Sequence, residues 1–372
     1  MRSRIIRQFA ASLLLLTATL LSGCASDPAP ETAQKPRPSD GWSSKEESTL
    51  AMMPDRPEVN LGPAFEVVVD EANTREAAVS VLRRAVDSTN PLLRMSAIEG
   101  LKHDKQNVAE AARKGLGDEN RAVRFVSTML VGKLRLTDLR PLVEPLLHDE
   151  TDSVRAAAIY AIRRCGGSPD MNPLATMLLA ENAEVKGNAA LVLGELGDPS
   201  AISLLRYALG RGLLKAGGAQ RRMVELQMAE AMVKLGDLQQ LEVIRAALFS
   251  RPEEGEITAL ACQICGEVQD EGSLPNLLDL ATRTGKAQQS AEIRMAAATA
   301  ASRINPRRSV LFVPESYVSS TRFELRAQAA LTLGASRQQA ALPSLVRLLQ
   351  DPNPMVQVSA AASILEIGER QP

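Results

Sequence analysis

This chain of 372 residues has few of the residue types from which catalytic, metal and nucleic-acid sites are built. It has two histidines, four cysteines and one tryptophan, and aromatic residues make up only 3% of it. Two histidines cannot form a His-rich metal site, and single-stranded nucleic acid needs more stacking aromatics. No Gly-x-Ser-x-Gly, Walker or dinucleotide-binding pattern occurs. We therefore expect a protein that is not an enzyme, with no cofactor, metal, nucleic acid or small-molecule substrate.

Long apolar runs are also absent. An apolar run of 13 residues, Phe9–Leu21, follows Arg2, Arg4 and Arg7. Its length is typical of an export signal and too short to span a bilayer. The residues that close it, Leu21-Ser22-Gly23-Cys24, resemble the lipobox of bacterial lipoproteins.

The lipobox resemblance implies that residues 1–23 are removed and that Cys24 carries acyl chains such as palmitate. Ala25 directly after the cysteine implies the outer membrane, facing the periplasm, although retention in the inner membrane stays open. Two or more acyl chains would anchor the protein stably, since one chain binds only marginally.

Residues 24–63 are predicted to be the lipidated cysteine and a disordered tether, because they are rich in Pro, Ser, Asp and Glu. Without the three signal arginines the formal charge changes from -1 to -4, and residues 25–63 hold seven acids and four bases. The remaining chain is close to neutral, so it lacks the basic face of a nucleic-acid binder.

Residues 64–372 repeat one helical pattern nine times. A branched or aliphatic anchor residue, usually followed by Arg, recurs at intervals of 30 to 39 residues, which is typical of a solenoid. Small or apolar residues follow each anchor at offsets +4, +5, +8 and +11, on one face of a helix. The anchors are Leu93, Val123, Val154, Val185, Val224, Ile257, Ile293, Leu325 and Val356.

A second helix precedes each anchor helix, and several of these second helices are leucine-rich amphipaths. Asp118, Asp149 and Asp351 stand five residues before an anchor, where they suit a turn or cap. This unit resembles a HEAT repeat, and more narrowly the bacterial repeats also found in phycobilisome lyases. The resemblance implies an all-α, right-handed α-solenoid of about nine helix pairs. At about 10 Å per layer, we expect a curved rod on the order of 90 Å long that offers a surface rather than a pocket.

Four departures from the repeat are visible. The residue after the anchor is not basic at Glu225, Thr258 and Gln357, so an unbroken arginine ladder is not expected. Residues 309–320, with Pro314 inside a β-rich run, are a poor first helix, and whether they are helical is left open.

Cys262 and Cys265 form a Cys-x-x-Cys pair that could be redox-active or bind metal. They occupy offsets +5 and +8, however, where other repeats have core residues, and Cys165 likewise occupies +11. We interpret all three as buried, inert thiols.

Offsets +6 and +10 point away from the core and are mostly polar. Three consecutive repeats instead place apolar residues at +6 and charged residues at +10. We expect them to form an apolar stripe with a charged margin that binds a partner, unless packing between repeats hides it. These residues are Met129, Tyr160 and Leu191, with Lys133, Arg164 and Glu195.

The interval from Val185 to Val224 is eight residues longer than a 31-residue period. The extra residues should form an edge loop, whose bases are either merely solvated or bind an acidic partner or anionic head groups. They are Arg206, Arg211, Lys215, Arg221 and Arg222.

The sequence therefore predicts a membrane-anchored HEAT-repeat scaffold that binds a protein or peptide partner in the bacterial cell envelope. The alternative is an accessory protein for thiol-redox or chromophore and cofactor handling, lyase-like, that uses Cys262 and Cys265.

The lipid anchor is directly testable. Cys24→Ala should yield protein that is unprocessed or carries no lipid, because the acylated sulfur is lost. Metabolic labelling with a fatty acid, followed by membrane fractionation, measures this. Unchanged labelling and unchanged membrane retention would contradict the prediction.

Overall fold

The computed structural model describes residues 61–68 and 73–368, so the predicted export signal, Cys24 and most of the predicted tether lie outside the described residues. The described part contains eighteen α-helices arranged in nine pairs. The predicted all-α solenoid of nine pairs is therefore confirmed. Leu61, three residues before the predicted boundary at residue 64, belongs to the hydrophobic core.

The even-numbered helices form the inner layer, and each contains one of the nine predicted anchors. They are α2 (Pro91–Gly100), α4 (Arg121–Leu134), α6 (Asp152–Arg164), α8 (Ala183–Leu196), α10 (Gly218–Lys234), α12 (Gly255–Glu267), α14 (Ala291–Ile304), α16 (Phe323–Ala335) and α18 (Pro354–Gly368).

The odd-numbered helices form the outer layer and are shorter on average. They are α1 (Thr74–Val86), α3 (Val108–Leu116), α5 (Arg140–Val143), α7 (Asn172–Leu178), α9 (Ala201–Ala208), α11 (Leu241–Ala247), α13 (Leu274–Thr282), α15 (Phe312–Glu315) and α17 (Leu342–Leu349). The helix α15 is a single turn inside residues 309–320, so this segment, whose helicity the sequence left open, is only partly helical.

The nine pairs close into a ring. Each inner helix packs against the next one, and α18 packs against both α1 and α2. At this seam Ser96 lies against the sulfur of Met355, with Oγ and Sδ 3.9 Å apart. The expected open rod is therefore wrong, because the last repeat meets the first.

Glycines let alternate pairs of inner helices approach closely. In four repeats the ninth residue after the anchor is Gly, and it faces a small residue of the next inner helix. A Cβ on Gly132, Gly194, Gly266 or Gly334 would lie 2.9 to 3.0 Å from the Cα of Ala161, Ala231, Ala300 or Ser363, respectively. Because these contacts shorten the inner layer relative to the outer one, they bend the stack toward closure.

Buried ion pairs connect successive repeats at the turns that lead from an outer to an inner helix. Arg94 binds Asp118 through two hydrogen bonds of 2.7 Å, and Asp118 also accepts the backbone N–H of Asn120 at 2.8 Å. Arg124 and Asp149, and Arg326 and Asp351, repeat the arrangement. The predicted turn role of these aspartates is confirmed, and the arginine of the preceding repeat is their partner.

Gln357, which replaces the basic residue in the last repeat, holds the N-terminal segment instead. Its Nε2 donates to the carbonyl of Phe65 at 2.8 Å, and its Oε1 accepts the Phe65 N–H at 2.7 Å. The departure noted in the sequence therefore marks the place where residues 61–68 join the ring.

Two rims follow from this architecture. The first rim carries the turns that lead from an outer helix to its inner helix, including residues 179–182, 209–217, 248–254 and 350–353. The second rim carries the turns that lead from an inner helix to the next outer helix, including residues 101–107, 235–240 and 305–311. No helix in the described part of the chain is both long and apolar enough to cross a bilayer.

Candidate functional site

The ring encloses a central cavity of about 580 Å³, and residues from all nine inner helices line it. Offsets +6 and +10 supply several of these residues, including Glu99, Lys133, Leu191, Glu230 and Glu267. The predicted direction of these positions is thus confirmed. The surface they line is the wall of a cavity and not an open groove, because the stack closes.

The expected apolar stripe is only partly open to the cavity. Tyr160 is 1% exposed, whereas Met129 and Leu191 are half-buried. A Cβ on Gly132 would lie 2.5 Å from the Tyr160 ring, so the ring occupies the space that this glycine leaves. The expectation of an exposed Tyr160 is therefore wrong. Its signal in the sequence was the glycine at +9 of the preceding repeat.

The charged residues at offset +10 lie in different environments. Glu195 accepts a hydrogen bond of 2.6 Å from Lys234, which also binds Glu230 at 2.8 Å. Arg164 is half-buried beside Tyr160. Burial raises the pKa of the Tyr160 hydroxyl and the Glu195 charge adds to this, while Arg164 opposes it.

Further ion pairs line the cavity wall. Glu267 pairs with Arg303 from the next inner helix, Glu99 pairs with Lys102 at 3.6 Å, and Arg337 lies 3.9 Å from Glu366. Within the described residues, Lys133 has no carboxylate within ion-pair distance. It is the cavity-lining lysine that can meet an anionic group without first breaking an ion pair.

The walls of the ring approach each other closely enough for charges to interact across the cavity. Burial raises the pKa of Glu99, while Lys102 and Lys133 oppose the shift and Glu267 adds to it. Burial also raises the pKa of Glu230. For Glu267 burial acts in the same direction, but Arg303, Lys133, Lys234 and Lys102 together hold its pKa below the usual range.

The thiols lie in the core, as expected. Cys262 and Cys265 are each 0% exposed, and Cys165 is also buried and free. Burial raises the pKa of Cys262 strongly and that of Cys265 to about 11. Burial thus favours the neutral thiol of both residues, which is a poor nucleophile for redox exchange. Among the described residues no group of three or more His, Cys, Asp or Glu is placed to hold a metal.

The insertion between α9 and α10 lies outside the ring, on the first rim. Of the five predicted loop bases only Arg211 and Lys215 lie in it, because Arg206 belongs to α9 and Arg221 and Arg222 belong to α10. Arg206 is tied to Asp237 on the second rim at 2.8 Å, and Arg222 is tied to Glu254 at 2.6 Å. Arg211 stacks on Tyr207, with its guanidinium 4.2 Å from the ring centroid. Arg206 and Arg222 therefore stabilise the fold through ion pairs, whereas Arg211 remains available to a ligand.

Comparison with known proteins agrees with this architecture. The family profile for HEAT repeats matches residues 79–163, 139–216 and 315–372, which together cover more than half of the chain. The chain is a HEAT-repeat protein. Its repeats are of a type that commonly mediates protein–protein interaction. No curated protein matches this HEAT-repeat chain in sequence.

A similar solved structure corrects one expectation. Human deoxyhypusine hydroxylase in complex with glycerol is 15% identical, covers 80% of this chain and 98% of its own, and has a TM-score of 0.35. That protein is an enzyme, so the expectation of a non-enzymatic chain does not stand. At this identity and TM-score, the likeness carries no activity over to the HEAT-repeat protein.

The stability of the folded protein should depend on pH through Glu99. Because its pKa is raised in the folded state, the folded protein binds this proton more tightly than the unfolded chain does. The associated stability is present at low pH and is lost as the pH rises through the folded pKa. Glu99→Gln, which stays neutral, should therefore raise the melting temperature at neutral pH but not near about pH 4.

The matched control is Glu110→Gln on the exposed face of α3. Thermal unfolding of both variants across this pH range measures the effect. A Glu99→Gln gain that is equally large at acidic pH would contradict it, as would the same profile for Glu110→Gln.

Tyr160 should contribute strongly to the free energy of unfolding. Tyr160→Ala should cost about 3–5 kcal/mol of unfolding free energy, because it leaves a cavity between α4 and α6. Tyr207→Ala, at a position 54% exposed, should cost about 0.5 kcal/mol or less. Denaturant titration of both variants measures this, and equal losses would show that Tyr160 is not a core residue.

Proposed function

We propose that this HEAT-repeat protein is a lipid-anchored binding protein of the bacterial cell envelope that takes an extended segment of a protein or peptide partner into its central cavity. The observation that carries the proposal is the convergence of all nine inner helices on one cavity lined by both signs of charge and by apolar side chains. The lipobox-like Leu21-Ser22-Gly23-Cys24 supports the anchor, and Ala25 supports the outer membrane, facing the periplasm.

The size of the cavity argues for a segment rather than a folded domain. Its volume of about 580 Å³ falls within the range of ordinary ligand sites. A closed ring also prevents a folded partner from lying along the inner helices. An extended segment presents backbone polar groups and alternating side chains, which match a lining that mixes charged and apolar residues.

Lys133, Met129 and Leu191 would provide the first contacts. The Lys133 ammonium is available to a carboxylate of the segment, and the half-buried Met129 and Leu191 offer apolar contact beside it. Glu99 and Glu267 lie within electrostatic range of Lys133, so a segment that carries both charges fits better than a simple anion.

The alternative, thiol-redox or chromophore and cofactor handling of the phycobilisome-lyase type, depends on Cys262 and Cys265. Their complete burial and raised pKa weigh against it. A thiol reagent should label neither residue until the protein is denatured.

Site-specific photo-crosslinking in intact envelopes tests the proposal. A photoreactive residue at Leu191, inside the cavity, should give an adduct with a peptide segment, whereas one at Leu142, on the outer helix α5, should not. Lys133→Ala should weaken binding of the identified segment by about 10- to 100-fold, as expected for a lost charge-assisted hydrogen bond. Lys105→Ala, on the second rim, is the control.

The outcome is decisive in either direction. Adducts at Leu142 alone, or unchanged affinity in Lys133→Ala, would contradict binding in the cavity. An adduct at Leu191 that Lys133→Ala reduces would support it.

A further inference from the structure

The N-terminal segment joins the ring at the first rim. Gln357, in the first turn of α18, binds both backbone groups of Phe65. Arg84, near the end of α1, lies over the Phe65 ring at 5.5 Å. Both residues are next to turns of the first rim, so the described segment 61–68 meets the ring on this side.

The same rim exposes large apolar side chains at three successive turns. Leu179 is 41% exposed after α7, Leu214 is 81% exposed in the insertion and Phe249 is 60% exposed after α11. The N–H of Leu214 donates to Glu181 Oε2 at 2.8 Å, which ties the insertion to the preceding turn. We call Leu179, Leu214 and Phe249, together with Arg211, Lys215 and Arg221 beside Leu214, the rim patch.

A buried lysine fixes the conformation of the insertion. Lys186 is 1% exposed, and its ammonium donates to the carbonyl of Ala208 at 3.0 Å and to the carbonyl of Arg211. Leu213 is buried and adopts a left-handed backbone with φ of 57°. Leu214 therefore projects outward from a fixed base rather than from a loose linker.

Three cations beside Leu214 have no carboxylate within ion-pair distance among the described residues. Arg211 stacks on Tyr207, Arg221 donates to the Leu213 carbonyl and Lys215 has no hydrogen-bond partner in the same part of the chain. The carboxylates nearby mostly face other groups. Glu181 accepts from Leu214 and, with Glu225, acts electrostatically on the buried Lys186, while Glu254 binds Arg222 and Arg251 and Glu253 is exposed.

A projecting leucine, exposed aromatics and unpaired cations on one rim are the features of a segment that lies at a membrane interface. We propose that the rim patch docks on the anionic surface of a lipid bilayer. The choice of a bilayer over an acidic protein rests on the proposed anchor at Cys24, since the described segment that follows it in sequence, residues 61–68, joins the ring on this rim. Docking would give the lipoprotein a second attachment and turn the second rim away from the membrane.

Vesicle binding by the chain that begins at Ala25, which retains every described residue but no acyl group, tests the patch apart from the anchor. It should sediment with vesicles that contain phosphatidylglycerol and not with phosphatidylcholine vesicles. The triple variant Arg211→Gln, Lys215→Gln, Arg221→Gln should weaken binding on the order of 100-fold. The control Lys105→Gln, Arg307→Gln, Arg308→Gln, on the second rim, should not.

A polarity-sensitive dye reports which rim meets the lipid. At Leu214→Cys it should shift to the blue on binding, and at Leu238→Cys, 63% exposed on the second rim, it should not. Equal binding to both vesicle types, equal loss in both triple variants or a shift at Leu238→Cys would overturn the proposal. So would capture of an acidic protein by the same three cations without vesicle binding. Failure of lipid labelling at Cys24 would instead remove the anchor and leave these outcomes intact.

Discussion

The closed ring depends on close contacts between neighbouring inner helices. These contacts form only where the residue at the contact point is glycine, whose side chain is a hydrogen atom. At four of the joints a Cβ on the glycine would lie about 3 Å from the Cα of the next helix. The small partner on the other side is Ala in three cases and Ser in the fourth. Because these contacts bring the inner helices closer together than the outer helices, the stack of repeats curves, and the contacts determine how strongly it curves. The ring, its cavity and its two rims all follow from that curvature.

Much of the fold could be predicted from the sequence because each repeat carries local signals. The nine anchors, the helix pairs, the aspartate turns and the buried thiols follow from spacing and helical register. Closure could not be predicted in this way, since it depends on the sum of small angles over nine repeats. The same limit explains the error at Tyr160: its register placed it on the inner face, but the space that hides it belongs to Gly132 of another repeat.

The candidate sites separate into an interior and an exterior. In the interior, repeats 1, 2, 5, 6 and 7 bring charges into electrostatic contact, as the effects of Lys102, Lys133, Lys234 and Arg303 on Glu267 show. Outside, the insertion replaces one arginine–aspartate joint by Lys186 and two carbonyls. Two departures from the repeat therefore have structural roles. Gln357 binds the N-terminal segment, and the long interval after Val185 supplies part of the rim patch.

The distance between the first and last repeats tests the account most directly. Nitroxide labels at Arg83→Cys on α1 and Gln350→Cys after α17 would report it by pulsed electron spin resonance, since the three native cysteines in the described region are buried. A closed ring predicts a single short distance, and Gly132→Val combined with Gly266→Val should lengthen or broaden it. An open solenoid of nine layers would instead place the labels apart by a length on the order of 90 Å. That result would contradict the ring and the cavity with it.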